Sequence, residues 1–272
     1  MVVAPGSVLF VTLDSCRYDT FERARVPNMK AIGPLHRAMA PSYFTFGSHA
    51  AMFVGFTPGV AERTEPAVNP KYAKLFKLDN AGFPGKGVPS FDLTGPNIIE
   101  GFRRRGYLTL GTAATGWFDP STETGRVLGQ SFERFHYPGN LYSLARQLAW
   151  VEEQSAQASQ PLFVFINVGE THVPYYHAGA PWDRARNPCV PFSKDNDAAE
   201  CARRQTACVE HVDALLGPLL GRFAQETVLV CADHGDCWGE DGLWEHGIHH
   251  PKTLEVPLLL HLRQSRDGGD PR

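Results

Sequence analysis

The chain lacks the features that tie a protein to nucleic acid or to a membrane. Its 272 residues carry a formal net charge of −3, and the one basic block that stands out is Arg103-Arg104-Arg105. Arginines at the end of a predicted helix cover a solvated face and complement the helix dipole, so we see no nucleic-acid footprint. No apolar run reaches the length of a transmembrane helix, which predicts that there is no membrane anchor.

Cysteine is also scarce, with six residues in the chain. Their distribution does not form a disulfide framework, and the spacing of Cys231 and Cys237 is not that of a zinc ribbon. We therefore expect reduced and mostly buried thiols. The amino terminus has no basic segment followed by a cleavage site, which predicts no signal peptide. From these absences we expect a cytoplasmic protein.

Strand-like apolar runs alternate with helical patterns along the chain. Strands are predicted over 7–13, 108–112, 161–168, 227–232 and 256–261. Helices are predicted to start near 48 and 97 and to span 141–158 and 198–224. Strands that are apolar throughout and alternate with helices are typical of a mostly parallel central sheet with helices on both faces. We expect one α/β domain over residues 1–272.

Segments rich in Gly, Pro and polar residues predict loops that line a binding pocket. These loops are 60–93, 115–127 and 176–196. Aromatic side chains within them are candidates for contact with an apolar or aromatic leaving group: Trp117, Phe118, Tyr175 and Tyr176.

Two strands end at residues that can bind a metal. Asp14 follows the first strand, and Asp233-His234 follow the strand at 227–232. Strands of an open α/β sheet end where ligands bind, and carboxylate and imidazole groups together can hold a divalent cation. Asp14 alone is equally well explained as a helix cap. Paired with Asp233-His234, metal ligation becomes the better explanation.

A candidate nucleophile lies where a Gly-containing loop enters an apolar helix. Thr45 and Ser48 offer hydroxyl groups there. Free backbone N–H groups and the helix dipole favour an alkoxide and an incoming oxyanion, and a metal would lower the hydroxyl pKa further. The alternative is that either hydroxyl only caps the helix.

Histidines follow the central strand and the Asp-His pair. His172 is fixed by a following Pro, and His246, His249 and His250 form a dense cluster of nitrogen donors. An imidazolium can bind a tetrahedral anion or act as a general acid, which favours functional roles for His172 and His246. His249 and His250 remain open between site wall and solvent.

Taken together, these motifs resemble the alkaline phosphatase superfamily, and its sulfatase branch in particular. The sequence Asp14-Ser-Cys-Arg17-Tyr-Asp19 resembles the family's opening Asp-x-x-Arg-x-Asp, and Asp233-His234-Gly resembles its second metal motif. His172-x-Pro and Gly-Leu-Trp-Glu-His246 match its anion-binding elements, with His246 where that family carries Lys. In this resemblance Arg17 and Asp19 brace the site.

The resemblance departs from sulfatases at the nucleophile. Thr45 occupies the position of the Cys or Ser that becomes formylglycine, and Gly47 and His49 replace the Pro and Arg of that motif. Threonine cannot be converted to formylglycine, so the resemblance implies a branch that acts on phosphate esters. It also implies that the usual C-terminal subdomain is lacking.

The resemblance thus implies a metal-dependent hydrolase or phosphotransferase of small phosphate esters, acting through a phospho-threonine. One Mn²⁺ or Zn²⁺ ion is expected on Asp14, Thr45, Asp233 and His234. A second ion could involve Glu170 with His172 and His246. The rival readings are a sulfatase-like hydrolase of a sulfate or phosphonate ester and a non-catalytic binding protein. Oligomeric state stays open.

Overall fold

The computed structural model describes residues 3–55 and 97–264. The described strands are β1 (Val8–Leu13), β2 (His36–Met39), β3 (Leu108–Ala113), β4 (Arg134–His136), β5 (Leu162–Val168), β6 (Thr227–Ala232), β7 (Cys237–Trp238), β8 (Trp244–Glu245) and β9 (Glu255–His261). The described α-helices are α1 (Tyr18–Arg23), α2 (Pro27–Lys30), α3 (Thr45–Val54), α4 (Ile98–Arg104), α5 (Glu123–Gly129), α6 (Leu144–Ser155), α7 (Ala198–Arg222) and α8 (Pro251–Leu254).

A seven-stranded sheet in the order β2-β9-β6-β1-β5-β3-β4 forms the centre of the molecule. The strands from β6 to β4 run parallel to one another, whereas β9 is antiparallel to both β6 and β2. This arrangement confirms the predicted mostly parallel sheet. The strand at 256–261 was predicted, but its antiparallel direction was not.

The central strand β1 is apolar except at Thr12 because both faces of the sheet are covered. Leu9 and Val11 belong to one core, together with residues of α7 such as Val209. Phe10 belongs to the other core, with Phe53 of α3. Neighbouring residues of a strand point to opposite faces, so helices on both sides favour apolar residues along β1, and its polar residue Thr12 is hydrogen-bonded to His49.

The ends of three strands lie at one level. Leu13 of β1 is paired with Val168 of β5 and with Ala232 of β6. The residues that follow these positions therefore leave the sheet at the same edge. In open α/β sheets this carboxyl edge is where ligands bind.

The predicted loop at 115–127 is wrong in part. It contains a 3-10 helix (Gly116–Phe118) and the beginning of α5, whose N-cap Thr122 accepts a hydrogen bond from Gly125 N at 3.0 Å. Gly125 allows close packing against the backbone of Asp119. Residues 176–196 contain no helix or strand, as predicted, and the predicted loop at 60–93 lies outside the described residues.

Some aromatic and apolar residues lie elsewhere than expected. Phe118 and Tyr175 are fully buried, so they are core residues and not pocket contacts. Ile98 is 48% exposed although it was expected on the apolar face of α4. The helix predicted over 141–158 spans only Leu144–Ser155, with Ser143 at its N-cap position. The expectation for the cysteines agrees with the structure, in which all six are unpaired and buried.

Two glycines give a matched test of the packing around α5. A Cβ added at Gly125 would lie 1.9 Å from Asp119 O, whereas one at Gly101 in α4 meets nothing within 4 Å. We expect Gly125→Ala to lower the free energy of unfolding by about 1–3 kcal/mol. Gly101→Ala should raise it by about 0.5–1 kcal/mol, because helix propensity improves without a clash. Urea denaturation of both variants measures this difference, and equal effects would contradict it.

Candidate active site

The predicted metal-site residues meet at the carboxyl edge of the sheet. Asp14 follows β1, Asp233 and His234 follow β6, and Thr45 begins α3. Thr45 Oγ1 lies 3.4 Å from Asp14 Oδ2 and 3.3 Å from His234 Nε2. His234 Nε2 lies 3.7 Å from Asp14 Oδ1 and 3.6 Å from Asp233 Oδ2. We call these four residues the acidic cluster.

The separations within the acidic cluster would suit ligands of one shared cation. Good hydrogen bonds to oxygen or nitrogen are about 2.7–3.0 Å long, shorter than the separations found here. Ligands bound at about 2.0–2.2 Å to a tetrahedral cation lie about 3.3–3.6 Å from one another. Carboxylate, hydroxyl and imidazole donors suit zinc or manganese.

The electrostatics of the acidic cluster also fit a cation. Asp14 and Asp233 are fully buried. Burial, and then the charge of Asp14, raise the pKa of Asp233 well above its ordinary value. Asp233 Oδ2 has no hydrogen-bond partner among the described residues. Two buried carboxylates with an unsatisfied oxygen are unfavourable unless a positive charge lies between them.

Backbone and amide donors hold both carboxylates in place. Asn167 Nδ2 donates to Asp14 Oδ2 at 3.2 Å. Asp233 Oδ1 accepts from the backbone N–H groups of Ser15 at 3.1 Å and His234 at 2.9 Å. Because these donors occupy Oδ1, the second oxygen of Asp233 is the one left for a cation.

His49 braces the first turn of α3 and is not a ligand. Its Nδ1 lies 2.8 Å from the backbone oxygen of Thr45, which can only accept, so Nδ1 carries the proton. Its Nε2 then accepts from Thr12 Oγ1 at 2.9 Å. Burial lowers the pKa of His49 to about 4, which keeps the ring neutral beside Asp233.

The imidazole rings of His234, His246 and His172 lie in a row that begins in the acidic cluster, to which His234 belongs. The ring centroid of His246 lies 4.6 Å from that of His234 and 5.1 Å from that of His172. The Nδ1 atoms of His172 and His234 face backbone oxygens at 2.8 and 3.0 Å and must donate to them. The Nε2 atoms of both rings are therefore left for a ligand. Burial, and then the charge of His246, lower the pKa of His234 to about 4, so its Nε2 keeps a lone pair.

Asp236 is the functional candidate that sequence reasoning missed. Its Oδ1 lies 2.8 Å from His246 Nδ1, and its Oδ2 accepts from Tyr175 Oη at 2.7 Å. Trp238 Nε1 donates in turn to Tyr175 Oη at 2.8 Å. Burial would lower the pKa of His246, but the hydrogen bond to Asp236 and its charge raise that pKa to about 9. The signal in the sequence was an acidic residue two positions after His234.

The structure places Arg17 and Asp19 beside the acidic cluster and not in it. Arg17 donates to both oxygens of Asp19, at 2.9 and 2.6 Å, and to Glu240 at 2.8 Å. Its guanidinium lies 4.1 Å from the ring centroid of Trp238. Burial opposes ionisation of Asp19, but hydrogen bonds from Arg17 and Lys252 outweigh it and lower the pKa of Asp19. This network ties β1 to the segment after β6.

The remaining acidic and histidine candidates have local structural partners. Glu170 Oε1 accepts from the backbone N–H of Leu144 at 2.8 Å at the start of α6, and burial raises the pKa of Glu170 to about 7. His250 is the N-cap of α8, where its Nδ1 accepts from Lys252 N at 3.0 Å. The ring of His249 packs edge-on against Tyr43.

A second group of ligand atoms converges, but it differs from the one expected. His234, Asp236 and His246 have ligand atoms within 4.8 Å of one another. Glu170 belongs to neither converging group of the described residues because it serves α6.

No protein-family profile matches the chain. A choline-sulfatase of Rhizobium meliloti (strain 1021) is 19% identical over an alignment 325 positions long, gaps included, that covers 96% of this chain. The chain spans 63% of the length of that relative.

Solved structures match over most of the described fold. The C-terminal periplasmic domain of the phosphoethanolamine transferase EptC from Campylobacter jejuni has a TM-score of 0.64 at 11% identity, covering 96% of this chain and 80% of its own. The same domain from Escherichia coli, in complex with Zn, has a TM-score of 0.61 at 13% identity, covering 96% and 74%. The phosphonate monoester hydrolase of Agrobacterium radiobacter has a TM-score of 0.62 at 14% identity, covering 94% and 68%.

The comparison corrects the expected location. The EptC structures are periplasmic domains, which points away from the cytoplasm and contradicts our expectation. That expectation used only features that were not recognised in the sequence, and such features do not identify a compartment.

None of the described helices, within residues 3–55 and 97–264, is both long enough and apolar enough to cross a bilayer.

A Vibrio parahaemolyticus protein described as a member of the alkaline phosphatase superfamily matches with a TM-score of 0.55 at 14% identity, covering 97% of this chain and 61% of its own. The chain therefore has the fold of the alkaline phosphatase superfamily, the family that its motifs resemble.

Proposed function

We propose that this protein is a metal-dependent hydrolase or phosphotransferase of phosphate esters that uses Thr45 as its nucleophile. The observation that carries the proposal is the placement of Thr45 Oγ1, 3.3 Å from His234 Nε2 and 3.4 Å from Asp14 Oδ2. A buried hydroxyl beside both oxygens of the Asp14 carboxylate and a neutral imidazole has no structural need for so many acceptors.

The acidic cluster would hold one cation through Asp14, Thr45, Asp233 and His234. Such an ion, when bound, polarises the ester and lowers the pKa of the Thr45 hydroxyl. We favour manganese or zinc from the mixed donors. One ion is favoured over two because the second group shares His234, and because Asp236 and His246 are already hydrogen-bonded to each other at 2.8 Å.

The start of α3 supplies the rest of the nucleophile's environment. Thr45 is the first residue of this ten-residue helix, where backbone N–H groups have no helical partner. These groups and the helix dipole favour negative charge on Thr45 and on an approaching phosphoryl oxygen. Thr45 Oγ1 would attack the phosphorus in line, forming a phospho-threonine and expelling the alcohol.

His172 and His246 would act on the phosphoryl group and the leaving alcohol. Their rings line the mouth of the acidic cluster, 5.1 Å apart between centroids. The cationic form of His246, maintained by Asp236, can donate from Nε2 to an oxygen of the ester or to the departing alcohol. Water or an acceptor alcohol would then release the phosphoryl group from Thr45, which gives hydrolysis or transfer.

A sulfate or phosphonate ester is the alternative substrate. The choline-sulfatase and phosphonate monoester hydrolase named above support it, because the same acidic cluster would bind either anion. Comparing the rates on 4-nitrophenyl phosphate, bis(4-nitrophenyl) phosphate, 4-nitrophenyl sulfate and a phenylphosphonate monoester decides among them. Turnover of the sulfate alone would overturn the phosphate assignment, and no turnover of any ester would favour a non-catalytic role.

Metal binding gives a test that does not depend on turnover. Saturating Mn²⁺ or Zn²⁺ at about 100 times its dissociation constant should stabilise the protein by about 2–3 kcal/mol. We expect Asp14→Asn and Asp233→Asn to lose this gain, and the metal-free variants to be at least as stable as wild type because a buried charge is removed. Thermal denaturation with and without metal measures both effects.

The matched control for metal binding is Asp236→Asn, which leaves the acidic cluster intact. It should keep the metal-dependent stabilisation. Elemental analysis should find one equivalent of metal in wild type, and two equivalents would contradict a single site. Equal losses in Asp233→Asn and Asp236→Asn would place the ion in the second group instead.

A further inference from the structure

A cleft of about 620 Å³ opens beside the row of histidines. His172 lies in its wall, together with Trp117 and Tyr137. The ring of His172 is also 5.1 Å from that of His246, so this cleft lies next to the histidines that flank the acidic cluster. A group attached to a phosphoryl ester held there can reach into the cleft.

Trp117 connects the cleft to the helix that carries the nucleophile. Its ring centroid lies 6.0 Å from that of Phe44 and 5.7 Å from that of Phe46, the two neighbours of Thr45 in the sequence. The indole is only partly buried, so one part of it packs on α3 and another faces the cleft. A ring bound against Trp117 would therefore lie next to the start of α3.

The described lining of the cleft has no permanently charged side chain. It contains hydroxyl, amide, aromatic and apolar side chains and His172, but no Asp, Glu, Lys or Arg. A charged organic group would lose water there without gaining an opposite charge. A flat, uncharged ring would gain apolar contact with the indole, and its hydroxyl groups could meet Thr122, Tyr137 or Asn140.

We propose that this cleft binds the organic half of the substrate, and that this half is an uncharged, ring-bearing alcohol. The inference rests on the proposed function, since the alcohol is the group that leaves when Thr45 attacks. It goes further by selecting among esters: those of aryl-bearing or sugar alcohols are favoured over esters of amino alcohols, whose positive charge the cleft does not match.

Gly116 gives a way to fill the cleft without disturbing Thr45. A Cβ at this position meets no heavy atom within 4 Å, and Gly116 is an exposed residue of the cleft lining. Gly116→Leu should place a branched side chain in the space that the ring would occupy. Trp117→Ala is a less clean variant because the indole also supports the residues on either side of Thr45.

The test compares primary alkyl phosphates, whose leaving alcohols differ in shape and charge more than in chemical reactivity. The substrates are benzyl phosphate, glucose 6-phosphate, ethyl phosphate and phosphocholine. Wild type should have a kcat/KM for at least one ring-bearing ester about tenfold or more above that for ethyl phosphate or phosphocholine. Gly116→Leu should remove this preference, mainly through KM. Whether benzyl phosphate or glucose 6-phosphate shows the larger effect identifies the ring as aromatic or sugar.

Gly101→Leu is the matched control, since its Cβ also meets nothing within 4 Å and it lies in α4. It should keep the wild-type preference. A wild type that prefers phosphocholine would overturn the inference, because an indole face can also attract a quaternary ammonium group. A preference for ring-bearing esters that survives Gly116→Leu would place the alcohol elsewhere. Both results would leave Thr45 chemistry intact, whereas no turnover of any of these esters by wild type would instead count against the proposed function.

Discussion

Replacing Thr45 with alanine is expected to lower ester turnover by about a thousandfold or more, because the attacking oxygen is removed. The same change should alter the free energy of unfolding by less than about 1 kcal/mol. The reason is that the contacts of Thr45 Oγ1 in the acidic cluster, at 3.3–3.5 Å, are too long to be strong hydrogen bonds. A large loss of activity with a small loss of stability separates a nucleophile from a helix cap.

Covalent trapping adds a readout that belongs to the nucleophile alone. Wild type quenched in acid during turnover should contain phosphothreonine at Thr45, found by peptide mass spectrometry. Thr45→Ser keeps a hydroxyl at residue 45 and should be phosphorylated there. Thr45→Ala should carry no phosphoryl group at that residue. Appearance of the label on Ser48 would transfer the role to the other hydroxyl of α3.

Thr109→Ala is the matched control for Thr45→Ala. Thr109 is also a fully buried threonine, but it lies in β3 and its hydroxyl accepts from Glu133 N at 2.9 Å. This variant should lose stability and keep turnover and phosphorylation. If Thr45→Ala and Thr109→Ala behave alike in all three measurements, Thr45 has only a structural role.

The fold could be predicted where a strand is buried on both faces or where apolar residues repeat with the period of a helix. The strands Val8–Leu13 and Leu162–Val168 were found because a strand covered on both faces is mostly apolar, with one polar residue each, Thr12 and Asn167, near the carboxyl end. The long helix Ala198–Arg222 was found from its apolar period. Short elements such as Tyr18–Arg23 and His36–Met39 were missed, because so few residues give no period to detect and tertiary contacts stabilise them.

The candidate site was predictable to the extent that strand ends identify it. Asp14, Asp233 and His234 each follow a strand, and parallel strands in register bring such residues together. Asp236 was not predicted, because its role depends on contacts with Tyr175 and His246 that no local pattern encodes. For the same reason Glu170 was taken as a ligand candidate, although it caps a helix that precedes it in the chain.

Asp236→Asn is expected to move the pH dependence of turnover by more than any other change near His246. In wild type Asp236 keeps His246 protonated, with a pKa raised to about 9 from its ordinary 6.5. An imidazole is ordinarily cationic below about pH 6.5. Because Asp236 raises the pKa of His246, the cationic form of this ring persists up to about pH 9. Within this window the variant should lose protonated His246 and wild type should not.

The size of this effect follows from the two protonation curves. At pH 8 a group of pKa about 9 is about 90% protonated. Without Asp236 the lowering by burial is less opposed, so the pKa of His246 should be no higher than its ordinary 6.5 and the ring at most about 3% protonated. The value of kcat/KM should therefore fall about thirtyfold or more in Asp236→Asn, and the two rates should converge only as the pH falls below that lower pKa. A bound cation would lower the pKa of His246 in both proteins. The high-pH side of each pH–rate profile, its basic limb, would then move to lower pH by a similar amount, and the difference in pKa between the two proteins would be preserved.

Tyr175→Phe is the control within the same hydrogen-bond chain. It removes the donor to Asp236 Oδ2 but keeps the carboxylate charge beside His246. Its basic limb should therefore stay at or above that of wild type, even if Tyr175→Phe is less stable. A uniform loss of rate in Asp236→Asn at every pH, with an unmoved basic limb, would mean that Asp236 only orients the His246 ring and does not hold its charge.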